Sequence, residues 1–270
     1  ANGMLRTLQG KASEKIDVVF PVLHGPFGED GAIQGLLRIA NIPYVGPNVL
    51  ASAISMDKDI MKRLCREAGL RVAPGIVVRK GEYIDTKILE KDHPYPLFVK
   101  PANMGSSVGV RKVTKRSELS SALSDAFLYD SKVLIEEAVN GQEVETGILG
   151  NEDPLVSVPG VIRAVCHDFY SYESKYEDAD GYEMEIPAKL DKHILQRVQE
   201  TELTVFKVCQ CEGMARVDSF VTESGDIIVN EINTLPGLTP STVLYHQGLA
   251  ENKPLFPKEL LELLIKNKGY

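Results

Sequence analysis

Long apolar runs are missing from this 270-residue chain, and no charged, apolar, small-residue signal pattern opens it. A bilayer span needs roughly 20 such residues, so no membrane partner is expected and a cytoplasmic location is. Positive charge is also short, with 30 Lys and Arg against 38 Asp and Glu and a net charge of −8. Nucleic acid calls for a basic face that releases counterions, so it is excluded as a partner and small molecules are favoured. Cysteine is scarce. Cys65, Cys166, Cys209 and Cys211 are too few and too scattered for a disulfide scaffold or a tetrahedral zinc site, and Cys209 and Cys211 read as buried small hydrophobes on a helix. A Walker A loop, internal repeats and low-complexity tracts are absent as well.

The composition that remains, 43% hydrophobic and 25% charged, is that of a soluble globular protein with a sizeable core, arranged as one large domain or two to three small ones. Strands and helices alternate at first. "IDVVFPVLHG" predicts a buried strand, "GAIQGLLRIAN" a helix, "IPYVG" a strand, and "VLASAISMDKDIMKRLCREAG" one long helix closed by Gly69. The pattern then shifts to longer strands, which suggests a domain boundary near Met56. A compact α+β unit follows, with "YPLFVKPA", "VGVRKV" and "KVLIEEAV" as strands and "KRSELSSALSDAFLYD" as a helix. Further strands, a polar tyrosine-rich segment and a helix around Leu190 to Gln210 lead to "GMARVDSFVTESGDIIVNEINTLPG". The tail "LFPKELLELLIKNKG" has amphipathic helical spacing.

That stretch from Gly213 to Gly237 reads as a hairpin with a two-residue Ser224-Gly225 loop. Pairing Glu223 with Asp226 sets Phe220 opposite Val229, Asp218 opposite Glu231 and Arg216 opposite Asn233, all on one face. Facing carboxylates repel unless a cation lies between them. Asp218, Glu231 and Asn233 offer hard oxygens only, which suits Mg²⁺ completed by water and phosphate, with Arg216 beside it for an anionic substrate. A solvated hairpin face explains the same residues, and both readings stand at this point. "FVKPANMGSSVGV" places Lys100 at a strand end, followed by a glycine-serine loop whose N–H groups and hydroxyls can meet phosphate oxygens. An unliganded turn is the plain alternative.

Taken together, Lys58, Lys100, this loop, Glu136, Glu143 and the carboxylate hairpin resemble the ATP-grasp fold. "HGPFGEDGAIQGLL", "MDKDIMK", "VKPANMGSSVGV", "FYSYESKY", "ARVDSFV" and "VNEINTLPGLTPST" occur in the order found in D-alanine–D-alanine ligases, a resemblance that covers the chain from Ile16 to about Leu264. It implies an α/β and α+β molecule of three subdomains: residues 1–56 binding substrate, 57–141 the central ATP-grasp unit, and 142–270 the C-terminal catalytic unit. ATP would lie between the last two. The family's opening glycine-rich segment with its substrate-binding glutamate has no counterpart in "ANGMLRTLQGKASEK", so an incomplete N-terminal subdomain is expected.

By the same resemblance, Lys58, Lys100 and the loop of Ser106 and Ser107 meet the ATP phosphates. Glu136 accepts from the adenine amino group, Val139 gives adenine a backbone contact, and Glu143 holds the ribose. Asp218, Glu231 and Asn233 ligate two Mg²⁺ ions, with Mn²⁺ a possible substitute. Arg216 and the N–H of Gly237 stabilise a tetrahedral oxyanion, and His24 lies at the first substrate. Thr242 and Val243 sit where the second substrate's carboxylate binds. Lys175 and Tyr176 belong to a lid, Phe169 to Glu183, with Lys175 on the transferring phosphate and Tyr176 bonded toward Ser106. The implied activity is ATP-dependent joining of two D-alanine molecules for peptidoglycan, by a bacterial homodimer. Its rivals are a sister ligase taking D-serine or D-lactate, a non-catalytic nucleotide-binding module, and a metal-free α/β interaction domain.

Overall fold

The computed structural model describes residues 4–6, 13–164 and 182–237. A short hairpin, β1 (Met4–Arg6) with β2 (Ser13–Lys15), comes first, followed by α1 (Ala32–Ile39). The strand expected in "IDVVFPVLHG" is not formed, and "IPYVG" forms none either. Only a parallel bridge between Val19 and Tyr44 is made, through Val19 N–H to the Pro43 carbonyl and Val45 N–H to the Val19 carbonyl, both 2.9 Å. Pro21 and Pro43 each remove a ladder donor from these segments, which limits the pairing to that bridge.

The single long helix expected next is two, α2 (Val49–Met56) and α3 (Lys58–Glu67). Asp57 breaks it. Its backbone is extended (φ −82°, ψ 97°), its carboxylate accepts the N–H groups of Asp59 and Ile60 as an N-cap, and Lys132 grips the same carboxylate at 2.7 Å. Capping and ion pairing thus outweigh helix propensity at one residue, and Lys58 is left at the start of α3.

Two antiparallel sheets carry the rest. The first is ordered β3 (Gly75–Arg79), β6 (Lys132–Glu137), β4 (Leu97–Pro101), β5 (Arg111–Val113). One face packs Leu97, Val99, Val113, Val133 and Ile135 against Leu89 of α4 (Thr86–Asp92) and Leu119, Ala122 and Ala126 of α5 (Arg116–Ala126). Period-two alternation leaves Phe98, Lys100 and Glu136 on the other face.

The second sheet is ordered β10 (Tyr182–Glu185), β9 (Gly160–Ala164), β7 (Gly141–Gly150), β11 (Gly213–Thr222), β12 (Ile227–Asn233), with β8 (Leu155–Val156) also on β7. Helix α6 (Lys192–Val208) covers one face, where Val205 and Phe206 meet Ala215, Val217, Val229 and Ile232. The helix stops at Val208, so Cys209 caps it and Cys211 lies beyond; both are buried in the same cluster, and burial pushes the Cys211 thiol up to about 12. The segment leading into β3 is tied to the second sheet by a parallel bridge from Val72 to Val229 and by an Arg71–Asp226 ion pair of 2.7 Å.

Candidate active site

The hairpin of β11 and β12 has the expected pairings of Asp218 with Glu231 and Arg216 with Asn233, but reaches them by another route. The loop is three residues, Glu223-Ser224-Gly225: Thr222 N–H bonds the Asp226 carbonyl and Gly225 N–H bonds the Thr222 carbonyl, both 2.9 Å. Gly225 takes φ 77°, the left-handed residue such loops require. Phe220 therefore faces Ile228, not Val229, and a bulge between Ser219 and Asp218 inserts Asn230 and restores the register. Burial along β12 breaks alternation at that point, so Asn230 and Glu231 lie together on the polar face while Val229 is buried.

On that face Arg216 clamps Asp218 with two bonds of 2.7 Å and reaches Glu145 of β7 at 3.3 Å. Asn233 donates to Asp218 at 3.0 Å. Burial opposes the guanidinium's charge, but Asp218 and Glu145 outweigh it and hold Arg216 firmly protonated. Glu231 pairs with Lys58 at 3.3 Å, and Lys58 also donates to the Met104 carbonyl at 2.6 Å.

Opposite lies the open face of the first sheet. Glu136, 2% exposed, is gripped by Lys62 through one oxygen and lies 3.0 Å from the Lys100 ammonium through the other. Taken as a surface acid, Glu136 would be misjudged, since its side chain is enclosed. Burial disfavours its charge, yet the two lysines hold it down to about 2, while burial lowers Lys62 to about 8 despite Glu136. Lys100 also reaches Asn230 at 3.3 Å, and Asn230 reaches Glu143 at 3.5 Å. These contacts bring the two faces together.

Ser106 and Ser107 occupy a tight turn at φ 54° and 59°, left-handed values that cost a non-glycine residue about 1 kcal/mol or more. Asp130 anchors the loop by accepting Asn103 N–H at 2.8 Å. A cleft lined by Glu29, Lys58, Met104, Gly105, Glu231 and Asn233 opens between loop and hairpin. His24 Nδ1 lies 2.9 Å from the carbonyl oxygen of Leu235, the residue after Thr234 in the cleft lining. Glu29 accepts from Gly25 N–H at 2.7 Å and Leu235 N–H at 3.2 Å, which ties the segment before Gly237 to the His24 loop. Burial raises its carboxyl above the ordinary range.

The structure thus gathers Lys58, Lys100, Glu136, Glu143, Arg216, Asp218, Glu231 and Asn233, with His24 and the serine loop at the cleft. Val139 lies half-buried just past the end of β6, three residues on from Glu136. Lys175, Tyr176, Thr242 and Val243 lie outside the described residues. Sequence reasoning missed Lys62, Glu29, Glu145 and Asn230. Lys62 was findable, being one helical turn from Lys58 and on the same face.

Among the described residues no three His, Cys, Asp or Glu side chains already converge at metal-binding spacing. The donor set nevertheless suits Mg²⁺: Asp218, Glu231 and Asn233 are oxygen donors on one face beside a cleft, and Lys58 and Arg216 now balance the carboxylates there.

Sequence profiles described as "D-ala D-ala ligase N-terminus" and "D-ala D-ala ligase C-terminus" match residues 2–47 and 64–266. A D-alanine–D-alanine ligase of Oceanobacillus iheyensis is 48% identical over 267 residues, 98% of this chain and 72% of that protein. The VanG D-Ala:D-Ser ligase of Enterococcus faecalis superposes with a TM-score of 0.82 at 38% identity, over 94% of this chain and 74% of the other. A D-alanine–D-alanine ligase of Bacillus anthracis complexed with ATP gives 0.79 at 32%, over 94% and 79%.

Proposed function

This chain belongs to the D-alanine–D-alanine ligase family, and from that premise we propose how its site joins two D-alanine molecules with ATP for peptidoglycan synthesis. A carboxylate is a poor acyl donor because oxide would have to leave. The γ-phosphoryl group of ATP therefore passes to one D-alanine carboxylate, and the amine of a second attacks the acyl phosphate, releasing inorganic phosphate beside the dipeptide and ADP.

The observation that carries this assignment is the meeting of a lysine-rich face with a carboxylate face across one cleft. Lys58 and Lys100 would steady the phosphates as point charges, helped by the turn at Ser106 and Ser107, whose backbone conformation suits anion contacts. Glu136 would accept from the adenine amino group, Val139 contact the base and Glu143 hold the ribose. Asp218, Glu231 and Asn233 would hold two Mg²⁺ ions, or Mn²⁺, which neutralise charge on the phosphates. Arg216, already placed beside them, and the N–H of Gly237 would stabilise the oxyanion of the second step. His24, oriented by Leu235, would orient the first substrate. Thr242 and Val243 would take the second substrate's carboxylate, and Lys175 and Tyr176 would close over the site and exclude water.

Family membership also supports the three-subdomain division at residues 56 and 141, a homodimer, and work in the cytoplasm. The deciding experiment is ADP release from ATP and Mg²⁺ with D-alanine against L-alanine, with the product identified by mass. D-specific turnover to the dipeptide is expected; nucleotide binding without turnover of any D-amino acid would overturn the reading. A second reading, D-serine as acceptor, has the similarity to the D-Ala:D-Ser ligase behind it, and the same mass measurement separates it.

A further inference from the structure

Lys62 is the least expected charge in the molecule. It is 1% exposed, lies a turn beyond Lys58 on α3, and has Glu136 as its acidic partner, with the cations Lys58 and Lys100 also acting on it. A lone ammonium at such depth is unfavourable, so the pair stands or falls together. Glu136 is shared unequally. One oxygen is held by Lys62, whereas the other, Oε2, faces the Lys100 ammonium at 3.0 Å. One buried carboxylate therefore faces two lysines, and Oε2 becomes an open acceptor when Lys100 turns away.

We propose that Lys62 is a positioning residue that sets nucleobase selectivity: it is the permanent counter-ion of Glu136, keeping it ionised as an acceptor for an exocyclic amino group while Lys100 is released to phosphate. The inference rests on the nucleotide reading above. Without Lys62, moving Lys100 to the phosphates strands Glu136 as an uncompensated buried carboxylate, which then takes up a proton. A protonated Glu136 donates, and so accommodates a 6-oxo purine as well as a 6-amino purine. The selectivity lost is of the kind that arises when a buried polar group faces the wrong partner.

The test is calorimetric binding of ADP and of IDP, whose base carries a 6-oxo group, without D-alanine. Wild type is expected to prefer ADP by about tenfold or more. In Lys62→Met, ADP should weaken about tenfold and the preference should shrink to within about threefold, while Lys62→Arg keeps it. If Lys62→Met does not fold, Lys62→Gln, which keeps a donor without charge, carries the same expectation. A purely structural Lys62 would weaken both nucleotides equally, and an unchanged ADP-to-IDP ratio in a folded uncharged variant overturns the proposal. So does a wild type indifferent to the base. Because binding is read without turnover, failure to ligate D-alanine would sink the function and leave this result standing, whereas no binding of either nucleotide sinks the nucleotide reading itself.

Discussion

The two faces that meet at the cleft are built on opposite electrostatic plans. On the first sheet and α3, two ammonium groups, Lys62 and Lys100, share one carboxylate, Glu136, and a third, Lys58, turns to the opposite face. On the hairpin and β7, Glu145 and Asp218 share one guanidinium, Arg216, with the further carboxylates Glu231 and Glu143 beside them. Neither face is balanced alone. Each partly neutralises the other through Lys58 to Glu231 at 3.3 Å, and Lys100 reaches across to the Asn230 amide at 3.3 Å. The difference teaches which ligand each awaits: an excess of lysine awaits phosphate, and an excess of carboxylate awaits a cation. A magnesium nucleotide would satisfy both together, so the contacts between the faces stand in for it.

The sharpest way to break this comparison is to remove one acid from the hairpin. Glu231→Gln should lower ADP release with D-alanine by at least about a thousandfold, because metal neutralisation of phosphate charge supplies several kcal/mol and each 1.4 kcal/mol is a factor of ten. Turnover measured across a Mg²⁺ titration gives the answer. Ordinary Mg²⁺ dependence in that variant would mean that the acidic face does not hold the cation.

A milder change sharpens the comparison from beneath the hairpin. Glu202 of α6 is fully buried on the far side of the sheet, near the hydroxyls of Thr146 and Ser219. Burial raises its carboxyl well above the ordinary 4.5; the Thr146 and Ser219 hydroxyls oppose this in part, and the charges of Asp218 and Glu145 add to it. Native Glu202 thus keeps its proton where the unfolded chain has lost it. Below about pH 4.5 both states are protonated and the group is neutral in the balance. Above that the unfolded state gains up to about 1.4 kcal/mol per pH unit until the native group also ionises. Glu202→Gln removes that drain, so its melting temperature should exceed the wild type's at pH 7, with the gap closing toward pH 4. A gap that does not change with pH would show that Glu202 is already ionised in the fold.

How much of this was legible follows from how far apart the partners are in sequence. The carboxylate face could be read because Asp218 and Glu231 sit in one hairpin, where local register decides the outcome. The detail of that register could not. A two-residue loop without a bulge and a three-residue loop with one place Asp218 opposite Glu231 equally well, and only the bulge brings Asn230 to the site. Lys58 and Lys100 were visible as motif lysines, whereas the Lys62–Glu136 pair spans 74 residues and depends on how α3 meets the first sheet. The helix break at Asp57 was hidden for a similar reason, since its ion-pair partner Lys132 is 75 residues away.

Asn230 offers the smallest and most discriminating change. It faces the cleft because of the bulge, accepts from Lys100 at 3.3 Å and approaches Glu143 at 3.5 Å, so it links a lysine of one face to an acid of the other. Asn230→Ala leaves the backbone bulge and the Asp218–Glu231 pairing in place, and removes only this bridge. Contacts as long as these contribute about 0.5–1.5 kcal/mol, so the KM for ATP should rise about two- to tenfold. The Mg²⁺ dependence should be unchanged, because the metal-binding oxygens are untouched. If Mg²⁺ dependence shifts while the KM for ATP does not, Asn230 belongs to the acidic pole alone, and the two faces communicate only through Lys58 and Glu231.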